Sequence, residues 1–212
     1  MIDKLHYISQ ANAAGSHIPA IERALLAGCK WIQLRIKDQS HAFINEQAVQ
    51  AKVLCDSFNA KLIVNDHTDI ARNVGAYGVH LGLQDMPLAE ARKIVGQDII
   101  IGGTANTLED VLQRIQEGAD YIGLGPLRFT TTKRNLSPLL GVAGFQNMLS
   151  HLAVKGISIP IVAIGGLTIG DVPTLMKAGI YGIAVSSLIT NADDPRQVVE
   201  ALYAELKSNL ST

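Results

Sequence analysis

Seven stretches of this sequence carry residue types that bind anions or metals, and each lies at or just beyond the end of a short apolar run. In Gln33-Leu34-Arg35-Ile36-Lys37 the alternation puts Gln33, Arg35 and Lys37 on one side of an extended chain. Two cations on the interior side of a buried strand are costly without a ligand or counter-ion, so the pattern reads as anion binding rather than as a solvated strand end. Asn65-Asp66 closes a second run, and Asp85 follows Gly78-Val79-His80-Leu81-Gly82. Two carboxylates completed by water and substrate phosphate oxygens suit Mg2+. Either Asp alone is equally well explained as a helix cap, Asp66 for the segment starting at Thr68 and Asp85 for the one near Leu88. Their company with Arg35 and Lys37 favours a metal and diphosphate site.

A second anion site is expected where Ala163-Ile164-Gly165-Gly166 and Ala184-Val185-Ser186-Ser187 end two later runs. Glycine permits close approach, and backbone N–H groups there can cradle a phosphate. The bland alternatives are a turn at Gly165-Gly166 and a cap at Ser186-Ser187. Thr130-Thr131-Thr132-Lys133 adds hydroxyls and a cation, and Gly102-Gly103-Thr104 adds another hydroxyl. His80 could point inward as a general base, but an interior hydrogen-bonded histidine is the better reading, and it is left outside the catalytic set.

Residues so far apart in sequence meet only if a regular scaffold gathers them. Strands are expected at Leu5–Ser9, Trp31–Arg35, Leu62–Asp66, Gly78–Gly82, Ile99–Gly103, Tyr121–Gly125, Ile161–Gly165 and Gly182–Ser186. Helical spacing follows each, over Ile18–Ala27, Ala42–Phe58, Thr68–Val74, Leu88–Val95, Leu108–Glu117, Val142–Leu152, Ile169–Ala178 and Pro195–Ser208, and several of these end near Gly. Eight strand–helix units close a parallel (βα)8 TIM barrel more naturally than they extend an open sheet, and a GxGxxG turn after the first strand, the mark of a dinucleotide-binding sheet, is absent. In such a barrel the C-terminal strand ends share one mouth, and the loops after strands seven and eight form its phosphate site.

Composition agrees with one α/β domain spanning residues 1–212: 48% hydrophobic, 17% charged and 19 glycines. A formal net charge of -1 gives no general attraction for nucleic acid or an acidic membrane, so bound anions must be met by local donors. Met1-Ile2-Asp3-Lys4 leads directly into a strand without a signal-like segment, and no apolar run spans a bilayer, so a cytoplasmic location is expected. Cys29 and Cys55 stand apart and read as buried packing residues. Homo-oligomerisation is compatible with the sequence and is not specified by it.

The ordered set Gln33–Lys37, Val64-Asn65-Asp66, His80-Leu81-Gly82-Leu83-Gln84-Asp85, Thr130–Lys133 and Ala163–Gly166 resembles the thiamine phosphate synthase family over nearly the whole chain. The resemblance implies Mg2+-dependent joining of a hydroxymethylpyrimidine diphosphate to a thiazole phosphate, or its carboxylated form, with release of diphosphate. It implies that Gln33, Arg35, Lys37, Asn65, Thr104 and Lys133 contact the pyrimidine diphosphate, that Asp66 and Asp85 hold the metal, and that Thr130, Thr132, Gly166, Ser186 and Ser187 bind the thiazole phosphate. Arg35, Lys37 and Lys133 would stabilise the leaving group. Four positions depart from the family pattern: His67 replaces a usual Arg, Thr104 and Asn106 replace a usual Ser and His, and Ser186 replaces an apolar residue. A related thiazole tautomerase is the nearest rival and needs no metal–diphosphate site. A noncatalytic phosphate-ligand sensor is a rival of another class, disfavoured by Arg35, Lys37 and Lys133.

Overall fold

The computed structural model describes residues 1–129 and 139–208. Eight parallel strands close a barrel in sequence order: β1 Leu5–Ile8, β2 Trp31–Leu34, β3 Lys61–Asn65, β4 Gly78–Leu81, β5 Ile100–Ala105, β6 Tyr121–Leu124, β7 Ile161–Ile164 and β8 Gly182–Val185. The strand β8 pairs with β1 through Leu5 opposite Ile183, which leaves no edge. Around it lie α1 Ile18–Leu26, α2 His41–Ser57, α3 Thr68–Asn73, α4 Leu88–Val95, α5 Leu108–Gln116, α6 Gly141–Val154, α7 Val172–Lys177 and α9 Pro195–Ser208. The segment expected to form one helix from Ile169 begins instead as a 3-10 turn, Ile169–Asp171, before α7. A short helix, α8 Ser187–Thr190, was not expected. No helix of the described residues is long and apolar enough to cross a membrane.

Strand alternation separates two cores. Side chains such as Leu5, Tyr7, Ile32, Leu34, Leu62, Val64, Ile183 and Val185 face outward and pack with the helices in one continuous apolar layer. The alternate positions, Ile8, Trp31, Ile63, Tyr121, Val162 and Ala184, pack inside the barrel. Near the barrel's N-terminal end, His6 stacks on Trp31 with ring centroids 4.5 Å apart, and Tyr121 meets both edge-on. Burial holds His6 neutral, with its pKa lowered to about 3. This aromatic plug fills the lower interior and forms the floor of the cavity at the strand exits.

Room for the plug comes from a neighbouring strand. Gly102 sits opposite Tyr121, where a Cβ would lie 2.2 Å from the phenol ring. The Tyr121 hydroxyl is thereby brought 3.0 Å from His80 Nδ1. Tyr121→Phe should cost about 1–3 kcal/mol, because it removes a buried partner of the imidazole without changing ring volume. Urea unfolding at neutral pH would read the loss, and an unchanged midpoint would mean that this bond contributes nothing to stability.

Candidate active site

The strand exits surround a cavity of about 210 Å³, lined by Gln33, Arg35, Lys37, Asn65, Asp66, Asp85, Thr104, Gly166, Ser186 and Ser187 among others. Every site residue expected from the sequence that lies within the described residues is thus on this wall. Thr130, Thr132 and Lys133 lie outside them.

One wall is charged. The β2 ladder stops at Leu34, one residue earlier than expected, yet Arg35 and Lys37 still reach the cavity. The Arg35 N–H donates to Ser9 Oγ at 3.2 Å, and Ser9 Oγ lies 2.7 Å from His17 Nδ1. Burial first, and the charge of Arg35 second, lower the His17 pKa to about 4, so the imidazole behind Arg35 is neutral at pH 7. Gln33 Nε2 donates to Asn65 Oδ1 at 2.7 Å, which fixes both amides side by side.

Beyond β3 the chain turns sharply at Asp66, whose φ is +67°, a left-handed conformation that Asp tolerates better than most residues. The turn aims its carboxylate at Lys37, which donates to Asp66 Oδ2, and at Asp85. Neither carboxylate caps a helix: the N-caps of α3 and α4 are His67 and Pro87, without side-chain capping bonds. Asp85 Oδ2 instead accepts the Gly82 N–H at 2.6 Å. Buried Arg114 from α5 stands behind this turn, donating to Gly82 O at 2.9 Å and Thr104 O at 3.2 Å while pairing with Glu117. Sequence spacing could show only the i,i+3 pairing of Arg114 with Glu117, because its other acceptors are main-chain carbonyls that only the barrel brings together.

Asp66 and Asp85 share one titration. Burial and the neighbouring Asp85 push Asp66 up to about 6, against the pull of Lys37. Burial also pushes Asp85 up, but bonds from Asp66 and the Gly82 N–H outweigh it and leave its pKa lowered. Two carboxylates close enough to raise the pKa of one of them form a site that a cation would relieve. Among the described residues no group of three or more His, Cys, Asp or Glu could hold a metal. Two carboxylates without a closed cage fit Mg2+, which keeps water and phosphate oxygens as its other ligands.

A cation held by this pair would bind with an affinity that depends on pH. A carboxylate with a raised pKa is protonated below that value, so protons compete with the cation as the pH falls through about 6. The half-saturating Mg2+ concentration of the substrate-free protein should rise about tenfold per pH unit below that point. Calorimetric titrations at pH 7.5, 6.5 and 5.5 would measure it, and a flat dependence would remove the shared proton.

Among the described residues the opposite wall carries no charged side chain. Gly165 and Gly166 leave β7 with φ of +95° and +67°, and α8 starts at the exit of β8. No backbone acceptor among the described residues takes the N–H of Gly166, Leu167, Ser187 or Leu188. The Ser186 hydroxyl does not cap α8: it donates to Ile8 O at 2.6 Å, so this exit offers an anion main-chain N–H groups rather than that hydroxyl. Between the walls lie His80, whose Nε2 is 3.0 Å from Thr104 Oγ1, and Asn106, which donates to Gly125 O. Thr104 belongs to β5 itself, which runs two residues further than expected. Gly123 leaves space for His80, since a Cβ there would be 3.1 Å from its Cε1. His80 is therefore the interior, hydrogen-bonded histidine of the bland reading.

The family model described as "Thiamine monophosphate synthase" matches residues 5–189. The chain is 45% identical to "Thiamine-phosphate synthase" of Flavobacterium johnsoniae over 99% of each chain. It is 48% identical to the protein of that name from Bacteroides fragilis, over 90% of this chain and 94% of the other. Among solved structures, "Thiamine phosphate pyrophosphorylase from Pyrococcus furiosus" superposes with a TM-score of 0.82 at 30% identity, covering 98% of this chain and 96% of that one. A closed barrel with a charged wall facing an amide wall, matched in sequence over nearly its whole length, places the chain in the thiamine-phosphate synthase family.

Proposed function

We propose that the chain joins 4-amino-2-methyl-5-(diphosphooxymethyl)pyrimidine to 4-methyl-5-(2-phosphoethyl)thiazole, giving thiamine phosphate and diphosphate, or to its carboxylated form, giving carbon dioxide as well. The observation that carries this reading is one cavity with a cation and carboxylate wall at β2–β4 and an amide wall at β7–β8. Two different anions can then be held on opposite sides of a shared reaction space.

In this reading Arg35 and Lys37 hold the diphosphate, with Lys133 as a further cation. Asp66 and Asp85 would hold Mg2+, whose charge, when bound, offsets the negative charge gathering on the departing diphosphate. The bond between Gln33 and Asn65 leaves Gln33 Oε1 to accept from the pyrimidine amino group and Asn65 Nδ2 to donate to a ring nitrogen. The Gly166, Ser186 and Ser187 main chain, with Thr130 and Thr132, would take the thiazole phosphate. The methylene C–O bond breaks, its electron pair leaves with the diphosphate, and the thiazole nitrogen gives its lone pair to the carbon. That nitrogen carries no proton to remove, so the protein has no need of a base, in keeping with the role of His80 as a structural partner of Tyr121 and Thr104. Positioning and electrostatics carry the rate. A cytoplasmic site of action, with both cysteines buried as thiols, is part of the same reading.

The test is product formation from the two purified substrates with Mg2+ present and then chelated. Magnesium-dependent appearance of thiamine phosphate and diphosphate in equal amounts is expected. Binding of the thiazole phosphate without turnover would favour a tautomerase or a sensor instead.

A further inference from the structure

Arg128, just beyond β6, and Asp171, at the foot of α7, stand outside the cavity lining yet join two of its exits. The Arg128 guanidinium grips both Asp171 oxygens, each at 2.5 Å, in the bidentate form that fixes direction as well as distance. The same guanidinium donates to Gly166 O at 3.3 Å. Its own main chain is laced to the same turn, with Arg128 N–H on Gly165 O and Leu127 N–H on Ile164 O, both at 3.0 Å. Asp171 is anchored in turn, because Oδ2 also accepts the Thr168 N–H and hydroxyl at 2.8 Å each. The contact is tight: a Cβ on Gly166 would lie 2.9 Å from Phe129 O and 3.0 Å from Arg128 Cβ.

We infer that Arg128 is a positioning residue for the phosphate of the thiazole substrate, acting through Asp171 and the Gly166 carbonyl. In a trans peptide the carbonyl and the following N–H point in opposite directions. Tying Gly166 O to Arg128 therefore fixes the direction of the Leu167 N–H, one of the amides that lack a backbone acceptor and part of the cavity wall. The pair also joins the β6 exit to the β7 exit, so the two sides of the phosphate site keep one spacing. A purely stabilising role fits less well. The Arg128 side chain is 52% exposed, and ion pairs with so exposed a partner add little to folding. This inference rests on assigning the β7–β8 wall to the thiazole phosphate.

Arg128→Met should raise the KM for the thiazole phosphate about tenfold, as expected for a displaced rather than a deleted donor. The KM for the pyrimidine diphosphate should stay within about twofold, since its site is on the opposite wall. Asp171→Asn should give the same split, the double variant should be no worse than Arg128→Met alone, and Arg128→Lys should fall between. Unchanged thiazole KM, parallel rises in both KM values, or additive losses in the double variant would each overturn the inference. Calorimetric binding of the thiazole phosphate to the wild type and Arg128→Met reads the same effect without turnover. A wild type that binds thiazole phosphate but forms no product would sink the proposed coupling and leave this inference to the binding data. A wild type that does not bind it would sink both.

Discussion

Asp85→Ala is expected to lower Mg2+-dependent coupling by about 10²–10³-fold while thiazole phosphate binding changes by no more than about twofold. Asp85 stands beside Asp66 on the charged wall, and its backbone neighbour Gly82 is held independently by Arg114. The turn therefore has a second anchor when the carboxylate goes, and the loss should be one of charge. Without Asp85 the remaining carboxylate no longer shares a proton, and Lys37 becomes its dominant partner. A cation would then meet a single, already neutralised carboxylate. Asp85→Asn separates charge from scaffolding, because an amide oxygen can still accept the Gly82 N–H. Loss equal to that of Asp85→Ala supports charge, and near-normal turnover would show that Asp85 only shapes the loop. Equal damage to coupling and to thiazole phosphate binding would break the division of the mouth into two walls.

That division was legible in the sequence because in-facing positions of parallel strands alternate with strict period two. Gln33, Arg35 and Lys37 could be placed on one side before any pairing was known. Strand ends were less legible. All exits but that of β5 come one residue earlier than expected, at Leu34 rather than Arg35 and at Ile164 rather than Gly165. At these exits the chain leaves the ladder to present groups to the mouth, as the left-handed Asp66 and Gly165 show. Side-chain composition continues the strand pattern past the point where pairing stops. The competing readings of Asp66 and Asp85 as helix caps could not be dismissed from spacing, since Asp is a favoured cap and both precede helices. The barrel decides against them by giving each carboxylate a nearer partner. The main-chain acceptors of Arg114, the partners of Arg128 and the Tyr121–His80 contact left no local pattern, because these carbonyls, carboxylates and rings are set by tertiary register.

Arg35→Ala should reduce kcat/KM for coupling by about 10²–10³-fold, mainly in kcat, with the KM for thiazole phosphate within about twofold. Among the described residues Lys37 has an ionic partner in Asp66, whereas no carboxylate pairs with Arg35. Arg35 is thus the cation of this wall whose charge is not already spent within it. Its guanidinium can bind two phosphate oxygens at once, and the developing charge on a leaving diphosphate strengthens both bonds as the C–O bond breaks. The main chain at Arg35 is fixed by Ser9, which His17 holds from behind, so truncating the side chain should leave the strand exit in place. Arg35→Lys keeps the charge but not the fork, and should recover about tenfold of the loss. Single-turnover measurements with saturating diphosphate substrate separate the two effects. A slowed chemical step with nearly unchanged binding places Arg35 on the leaving group. A raised KM with normal kcat would instead make it a ground-state anchor, and unchanged kinetics would remove it from the site.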